Sequence, residues 1–253
     1  GVTGCAGRMG KMLCQAVIEA GLELSGGTER PESPVIGQEL GKGKVFADIK
    51  ELFAVSDAVL DFTAPAASVA NAKAAAETGK VLVIGTTGLT EAQRAEVAKA
   101  AEKAPIVLAP NMSVGVNLLQ ALVEKVASIL DPAYDIEIVE MHHRNKVDAP
   151  SGTALALGKA AAKGRGESLD KVACYERHGV IGARPAGEIG FATLRGGDVV
   201  GDHTVIFAGT GERIELTHKA SSRAVFANGA VRAALWAAGQ KAGLYSMRDV
   251  LGF

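Results

Sequence analysis

Aromatic side chains make up only 4% of this 253-residue chain, and histidine occurs five times. So few rings leave little to stack against bases, which argues against a single-stranded nucleic-acid surface. A formal net charge of −1, from 27 Lys and Arg against 28 Asp and Glu, offers no basic field to a phosphate backbone. No apolar run approaches the roughly eighteen residues of a membrane helix, and the first residues lack the pattern of a secretory signal. Neither nucleic acid nor a membrane is an expected partner. Cysteine is scarce too: Cys5, Cys14 and Cys174 are odd in number and show no C-x-x-C spacing. That points away from a disulfide framework or a zinc site, and no metal is expected. A reducing cytoplasm is the natural compartment. The chain opens at Gly1 without a methionine, and "GVT" is short for a strand, so further strand residues are expected ahead of it.

What is present is a soluble-protein balance, 48% hydrophobic and 22% charged, long enough for one or two domains. Through residue 112, short apolar runs alternate with longer alanine-rich ones, the rhythm of βαβ units and a parallel sheet. Strands are expected at "GVT", 22–29, 58–63, 81–88 and 106–110, with a loop over 31–44. Pro65 suits the first turn of a helix running to about Thr78. Thr90 and Gln93 fit a capping box for a helix over 91–104. After Asp131 the rhythm changes. "DIEIVEMHH" reads as a strand, 151–163 as a helix, and "GEIGFATLRGG", "DHTVIFAG" and "ERIELTHKA" as successive strands without crossover helices. These form an antiparallel or mixed sheet in a second domain, after which 222–240 is a helix able to pack back on the first.

The first chemistry-bearing motif is Gly4-x-x-Gly7-x-x-Gly10, after a strand remnant and at a helix start. Small residues there let backbone N–H groups approach a pyrophosphate where the helix dipole favours negative charge. A tight βα turn without a ligand has the same pattern, and this spacing is not the commoner G-x-G-x-x-G. Glu29 lies where an acid can bond an adenosine ribose, while Arg30 beside it suits a 2′-phosphate. Both NADH and NADPH are therefore open, as is a plain pair of surface charges. Gly85-Thr86-Thr87-Gly88 and Ala109-Pro110-Asn111-Met112 end successive strands at their carboxyl edges, where open α/β sheets bind ligands.

The second motif is "EMHHRNKVDAPSGTAL", residues 140–155. Adjacent strand residues point to opposite faces, so at most one of His142 and His143 enters a given cleft while the strand persists. Either is ordinary as a structural residue, yet histidine is also the natural proton donor near neutrality. Lys146 lies within a loop's reach. Pro150-Ser151-Gly152-Thr153 starts a helix whose first N–H groups, with two hydroxyls, make an anion site; Ser151 also suits a simple N-cap.

With both ends assembled, the sequence resembles the 4-hydroxy-tetrahydrodipicolinate reductase (dihydrodipicolinate reductase) family of the diaminopimelate route to lysine. The residues carrying the resemblance are "GCAGRMG", "DFT", "VIGTTG", "NMSVGVN", "HHRNKVDAPSGTAL", "GEIGFATLRGGDVVGDHTVIF" and "THKASSRAVFANGAVRAALW", in the same order along nearly the whole chain. Asn145 stands where some relatives carry histidine. The resemblance implies an α/β fold: a Rossmann-like dinucleotide-binding domain (1–112 with 222–253) and an α+β substrate-binding domain with a mixed open sheet (113–221). It implies a homotetramer built through the substrate-domain sheets. Gly4, Cys5, Ala6, Gly7, Arg8, Met9, Glu29, Arg30, Gly85, Thr86, Thr87, Ala109, Pro110, Asn111 and Met112 would line NADH or NADPH. His142 would donate a proton, with Lys146 as second acid–base group. His143, Gly152 and Thr153 would hold a carboxylate of the dicarboxylate substrate. Another two-domain nicotinamide dehydrogenase, such as one acting on aspartate or homoserine, should lack the histidine block. A non-catalytic NAD(P) sensor would need no proton donor.

Overall fold

The structure, a computed structural model, describes all residues from Gly1 to Phe253. They form two compact units, Gly1–Val114 with Ala224–Phe253, and Gly115–Arg223. In chain order the first unit opens with β1 (Val2–Thr3), α1 (Arg8–Glu19), β2 (Gly27–Thr28), β3 (Glu39–Leu40) and β4 (Gly43–Phe46). It continues with α2 (Ile49–Val55), β5 (Ala58–Asp61), α3 (Pro65–Thr78), β6 (Val81–Ile84), α4 (Glu91–Ala101) and β7 (Pro105–Leu108). The second unit holds most of α5 (Val114–Ile129), then β8 (Asp135–His142), α6 (Gly152–Gly164), α7 (Leu169–Val172) and β9 (Ala173–Cys174). It ends with β10 (Ile189–Arg195), β11 (Gly201–Gly209) and β12 (Glu212–Ala220). The chain returns to the first unit as α8 (Ala224–Ala237), β13 (Gly243–Tyr245) and α9 (Met247–Leu251). No helix is long and apolar enough to cross a membrane.

The first unit is an eight-stranded sheet in the order β13-β7-β6-β5-β1-β2-β4-β3, parallel except for the β3–β4 edge. The central strand β6 is apolar along its whole length, as a strand covered on both faces demands. Val81, Leu82, Val83 and Ile84 are all buried. One face packs Val83 and Val107 with α1 and α8; the other packs Leu82 and Ile106 with α2, α3 and α4. Local chemistry fixes the helix ends. Pro65 starts α3, Gly79 closes it in the left-handed region at φ 68°, and Thr90 with Gln93 forms the capping box of α4.

Several expected elements change extent. The strand expected over 22–29 pairs only at Gly27–Thr28, because Gly26 takes φ 136° and Leu24 meets Lys42 through a single backbone bond. Residues 31–44, expected as loop, contain β3 and the start of β4, whose Val45 and Phe46 pair with Gly27 and Thr28. Strand 81–88 stops at Ile84, 106–110 becomes Pro105–Leu108, and the helix over 222–240 spans Ala224–Ala237. That helix packs against α1, and Gly229 lets it pass close to the Met112 backbone: a Cβ there would lie 1.8 Å from Met112 O.

The second unit is a five-stranded mixed sheet in the order β12-β11-β8-β10-β9. β11 runs antiparallel to β12 and β8, whereas β8, β10 and β9 are mutually parallel. Along β8 the burial alternates with period two, burying Ile136, Ile138, Glu140 and His142 on one face. Leu119 and Val123 of α5 and Leu157 and Ala161 of α6 pack on that face. The apolar stripe ends in a polar row at Glu140 and His142. That row is where the chemistry gathers.

Candidate active site

In the first unit the glycine turn runs from β1 into α1. Gly4 sits at φ 59°, and Gly7 N–H bonds Gly4 O at 3.0 Å. A Cβ on Gly10 would fall 2.0 Å from Gly4 O, so the first turn of α1 lies directly on this backbone. Ala6, Gly7 and Arg8 are exposed, Met9 is half-buried, and Cys5 is buried against Gly27. Burial, reinforced by Glu29, raises the Cys5 thiol pKa, so its role is packing rather than nucleophilic. Glu29, half-buried, accepts the Ala6 N–H through Oε1 at 2.9 Å. Arg30 beside it is exposed.

At neighbouring strand ends, the Thr86 hydroxyl accepts the Thr63 N–H at 2.9 Å. The buried Asp61 carboxylate binds the hydroxyls of Thr3 at 2.9 Å and Thr63 at 2.5 Å. These bonds tie together the ends of β1, β5 and β6. Thr87 and Pro110 are exposed, whereas Ala109 and Met112 are buried. Met9, Phe62, Gly85, Asn111, Met112 and Phe226 are among the residues lining a cavity of about 220 Å³. Asn111 Oδ1 accepts the Ser113 N–H, which fixes that turn. A close-approach turn at a helix N-terminus, an acid at the next strand end and a cavity at the strands' carboxyl edge suit a dinucleotide.

In the second unit β8 ends at His142. His143 N–H then bonds Val199 O at 2.8 Å, and Lys146 N–H bonds His143 O at 3.1 Å, closing a turn that presents the lysine. His142 is buried and His143 half-buried. Lys146 Nζ holds both oxygens of Asp148, at 2.8 and 2.9 Å, and this contact draws the Asp148 carboxyl below its ordinary range. Ser151 caps α6, accepting the Ala154 N–H at 3.1 Å. Gly152 is exposed and Thr153 half-buried in the first turn after it.

Three residues the sequence reading passed over organise this region. Glu140, two positions before His142 on the same strand face, bonds His142 Nδ1 at 2.5 Å. Arg195 grips both oxygens of Glu140, at 2.8 and 3.0 Å. His203 meets the Ser151 hydroxyl through Nε2 at 2.9 Å, and its ring stands edge-on to His142 at 5.1 Å. Period-two spacing would have found Glu140. Arg195 and His203 needed the sheet register, which sets Arg195 opposite His142 and His203 opposite Glu140.

Burial lowers the pKa of His142, and Lys146 and Arg195 lower it further, while Glu140 opposes them. Burial raises that of Glu140, but Arg195, His142 and the Ser151 N–H outweigh it and keep the carboxyl ionised. The arrangement offers a buried imidazole on a fixed carboxylate, a lysine on a short turn and the N-terminus of a 13-residue helix. Chemically it suits proton transfer to a bound anion.

Comparison with known proteins identifies the family. The family described as "Dihydrodipicolinate reductase, N-terminus" matches residues 1–112, and "Dihydrodipicolinate reductase, C-terminus" matches 115–251. The chain is 55% identical over 260 residues to a 4-hydroxy-tetrahydrodipicolinate reductase of Rhodopseudomonas palustris (strain BisB18), covering 99% of this chain and 96% of the relative. It is 54% identical over 259 residues to the same-named protein of Thiobacillus denitrificans, covering 99% and 97%. A dipicolinate-bound dihydrodipicolinate reductase from Paenisporosarcina sp. TG-14 shares the fold at TM-score 0.80 and 24% identity, covering 97% of this chain and 96% of that one. The alternating first unit, the buried histidine on its carboxylate and these matches lead to one assignment: the chain belongs to the dihydrodipicolinate reductase family.

Proposed function

We propose that this chain reduces 4-hydroxy-tetrahydrodipicolinate, with loss of water, to tetrahydrodipicolinate, using NADH or NADPH, in the cytoplasmic synthesis of diaminopimelate and lysine. Family membership supports the substrate. The observation that carries the chemistry is His142, buried and held by Glu140 beside the start of α6.

The glycine turn Gly4 to Met9, together with Gly85 to Thr87 and Ala109 to Met112, would hold the dinucleotide, with Glu29 and Arg30 at its adenosine ribose. When bound, the nicotinamide supplies a hydride for C4 of the substrate ring. The cyclic imine left by loss of the 4-hydroxyl becomes an enamine on reduction, and His142 supplies the proton that C3 requires. Lys146 exchanges its Asp148 partner for a substrate carboxylate and acts as the second acid–base group. His143, Gly152 and Thr153 hold carboxylate, with the dipole of α6 favouring the anion.

A homotetramer fits the second unit. The face of its sheet opposite the core carries Val139, Met141, Ala192, Leu194 and Ile206 beside the polar Glu137, Thr204 and Thr217, with Leu194 49% exposed, a mixed surface able to meet a second sheet. Sedimentation equilibrium tests this through the mass in solution.

The decisive assay supplies freshly generated substrate and follows nicotinamide absorbance with each cofactor. Decay is expected, and His142→Gln should lower kcat by roughly a hundredfold. Absence of decay with both cofactors would favour a nucleotide sensor, and near-normal turnover by the variant would remove His142 from the proton-donor role.

A further inference from the structure

The carboxylate behind His142 has an arrangement that the reaction alone does not require. Glu140 is 1% exposed, yet both of its oxygens are fully engaged. Oε2 meets His142 Nδ1 at 2.5 Å and Arg195 Nη1 at 2.8 Å. Oε1 accepts the Ser151 N–H and Arg195 Nη2, each at 3.0 Å. Arg195 also donates to Asp148 O at 2.7 Å. One buried carboxylate therefore touches the imidazole and the first residue of the α6 cap, and it reaches the Lys146–Asp148 loop through Arg195.

We infer that Glu140 is a positioning residue that fixes the tautomer and charge of His142, making Nε2 the nitrogen that gives up the proton. This rests on the reading of His142 as proton donor. An ionised carboxylate only accepts hydrogen bonds, so Nδ1 must donate to it in both the neutral and the protonated ring. The neutral ring then carries its lone pair on Nε2, and the protonated ring carries its labile proton there. The space around Nε2 agrees with this. A Cβ on Gly201 would stand 3.0 Å from it, so glycine at that position keeps room beside the nitrogen.

The charged and titratable groups facing His142 are Glu140 on its own strand, Arg195 on β10, Lys146 on the loop and His203 on β11; Asp148 pairs with Lys146, and His218 on β12 lies beyond His203. Of these, Glu140 is the anion in direct contact with the ring. It opposes a burial penalty that Lys146 and Arg195 deepen. Without it nothing in contact with the ring would offset that penalty, and His142 would be still harder to protonate.

Two measurements test the inference. The first uses the intact wild-type protein with 15N-labelled histidine. In its neutral form His142 should show a protonated, pyrrole-like Nδ1 and a pyridine-like Nε2, and the opposite tautomer would overturn the inference whatever the activity. The second is the pH profile of kcat for Glu140→Gln, with dinucleotide binding as the check on folding. We expect kcat to fall at least roughly tenfold and its alkaline limb to move down by about one pH unit or more, because the stabilising anion is gone. A merely structural carboxylate would change the amount of active protein but leave that limb in place, which would refute the positioning role. Should Glu140→Gln not fold, the nitrogen spectrum still decides. Normal turnover by His142→Gln instead overturns the proton-donor reading, so the two failures are distinguishable.

Discussion

Glu29 turns back onto the glycine turn, its Oε1 accepting the Ala6 N–H at 2.9 Å. The acid at the end of β2 thus shapes the backbone it stands beside. Its second oxygen makes only a long, 3.4 Å contact with the Arg30 N–H, which leaves it able to take a ribose hydroxyl. Glu29→Ala is expected to raise the KM for NADH roughly tenfold, the loss of one charge-assisted hydrogen bond. NADPH should suffer less. Arg30→Ala should do the reverse, weakening NADPH through its 2′-phosphate. Steady-state kinetics with both cofactors checks this, and an unchanged preference in both variants would place the ribose elsewhere.

Two glycines separate folding from binding. A Cβ on Gly152 would meet nothing within 4 Å, so Gly152→Ala should leave the melting temperature essentially intact. If the substrate carboxylate sits over this first turn of α6, the same methyl should raise its KM by about tenfold. At Gly10 a Cβ would stand 2.0 Å from Gly4 O, so Gly10→Ala must displace the turn. It should abolish dinucleotide binding and cost roughly 3 kcal/mol or more. Thermal melts alongside cofactor titration distinguish these outcomes, and an unaffected KM in Gly152→Ala would move the carboxylate site.

His203 links acidity to stability. Burial, ahead of the nearby His142, pushes its pKa from the ordinary 6.5 down to about 4. Between those values the unfolded chain binds a proton that the folded protein refuses, so stability falls as pH drops from 6.5 toward 4. Above that window both states are neutral at this residue, and it contributes no pH dependence. The full loss is roughly 3 kcal/mol. His203→Asn removes the Ser151 contact at every pH but also removes this slope. Its melting temperature should therefore fall less than that of the wild type between about pH 7.5 and about pH 4.5. Parallel falls in the two proteins would show that His203 is not the group responsible.

Much of this was legible in the sequence, and the physical reason differs by element. The buried strands β5 and β6, the Pro65 helix start and the Thr90–Gln93 box depend on local chemistry and begin where that chemistry puts them, although the strands end at Asp61 and Ile84, short of the expected 63 and 88. The short strands β3 and β4 were not visible. They are two and four residues long, lie among glycines, and owe their geometry to pairing with each other and with β2. The 243–251 segment escaped for a similar reason: β13 is three residues long and is defined by its pairing with β7. At the site, His142 and Lys146 stand out by composition, and Glu140 is two residues from His142 on one strand. Arg195 is 55 residues from Glu140 and the Ser151–His203 pair is 52 apart, so only the sheet register brings them together.

The contact between Gly229 and Met112 O also has a temporal meaning. Phe226, on the same helix, lines the cavity that otherwise belongs to residues 9–112. Synthesis runs from the amino end, so the ribosome makes these earlier walls first and then the entire second unit. The last wall arrives only with α8. A nascent chain therefore carries its glycine turn beside an incomplete cavity until the whole second unit and then α8 have been made.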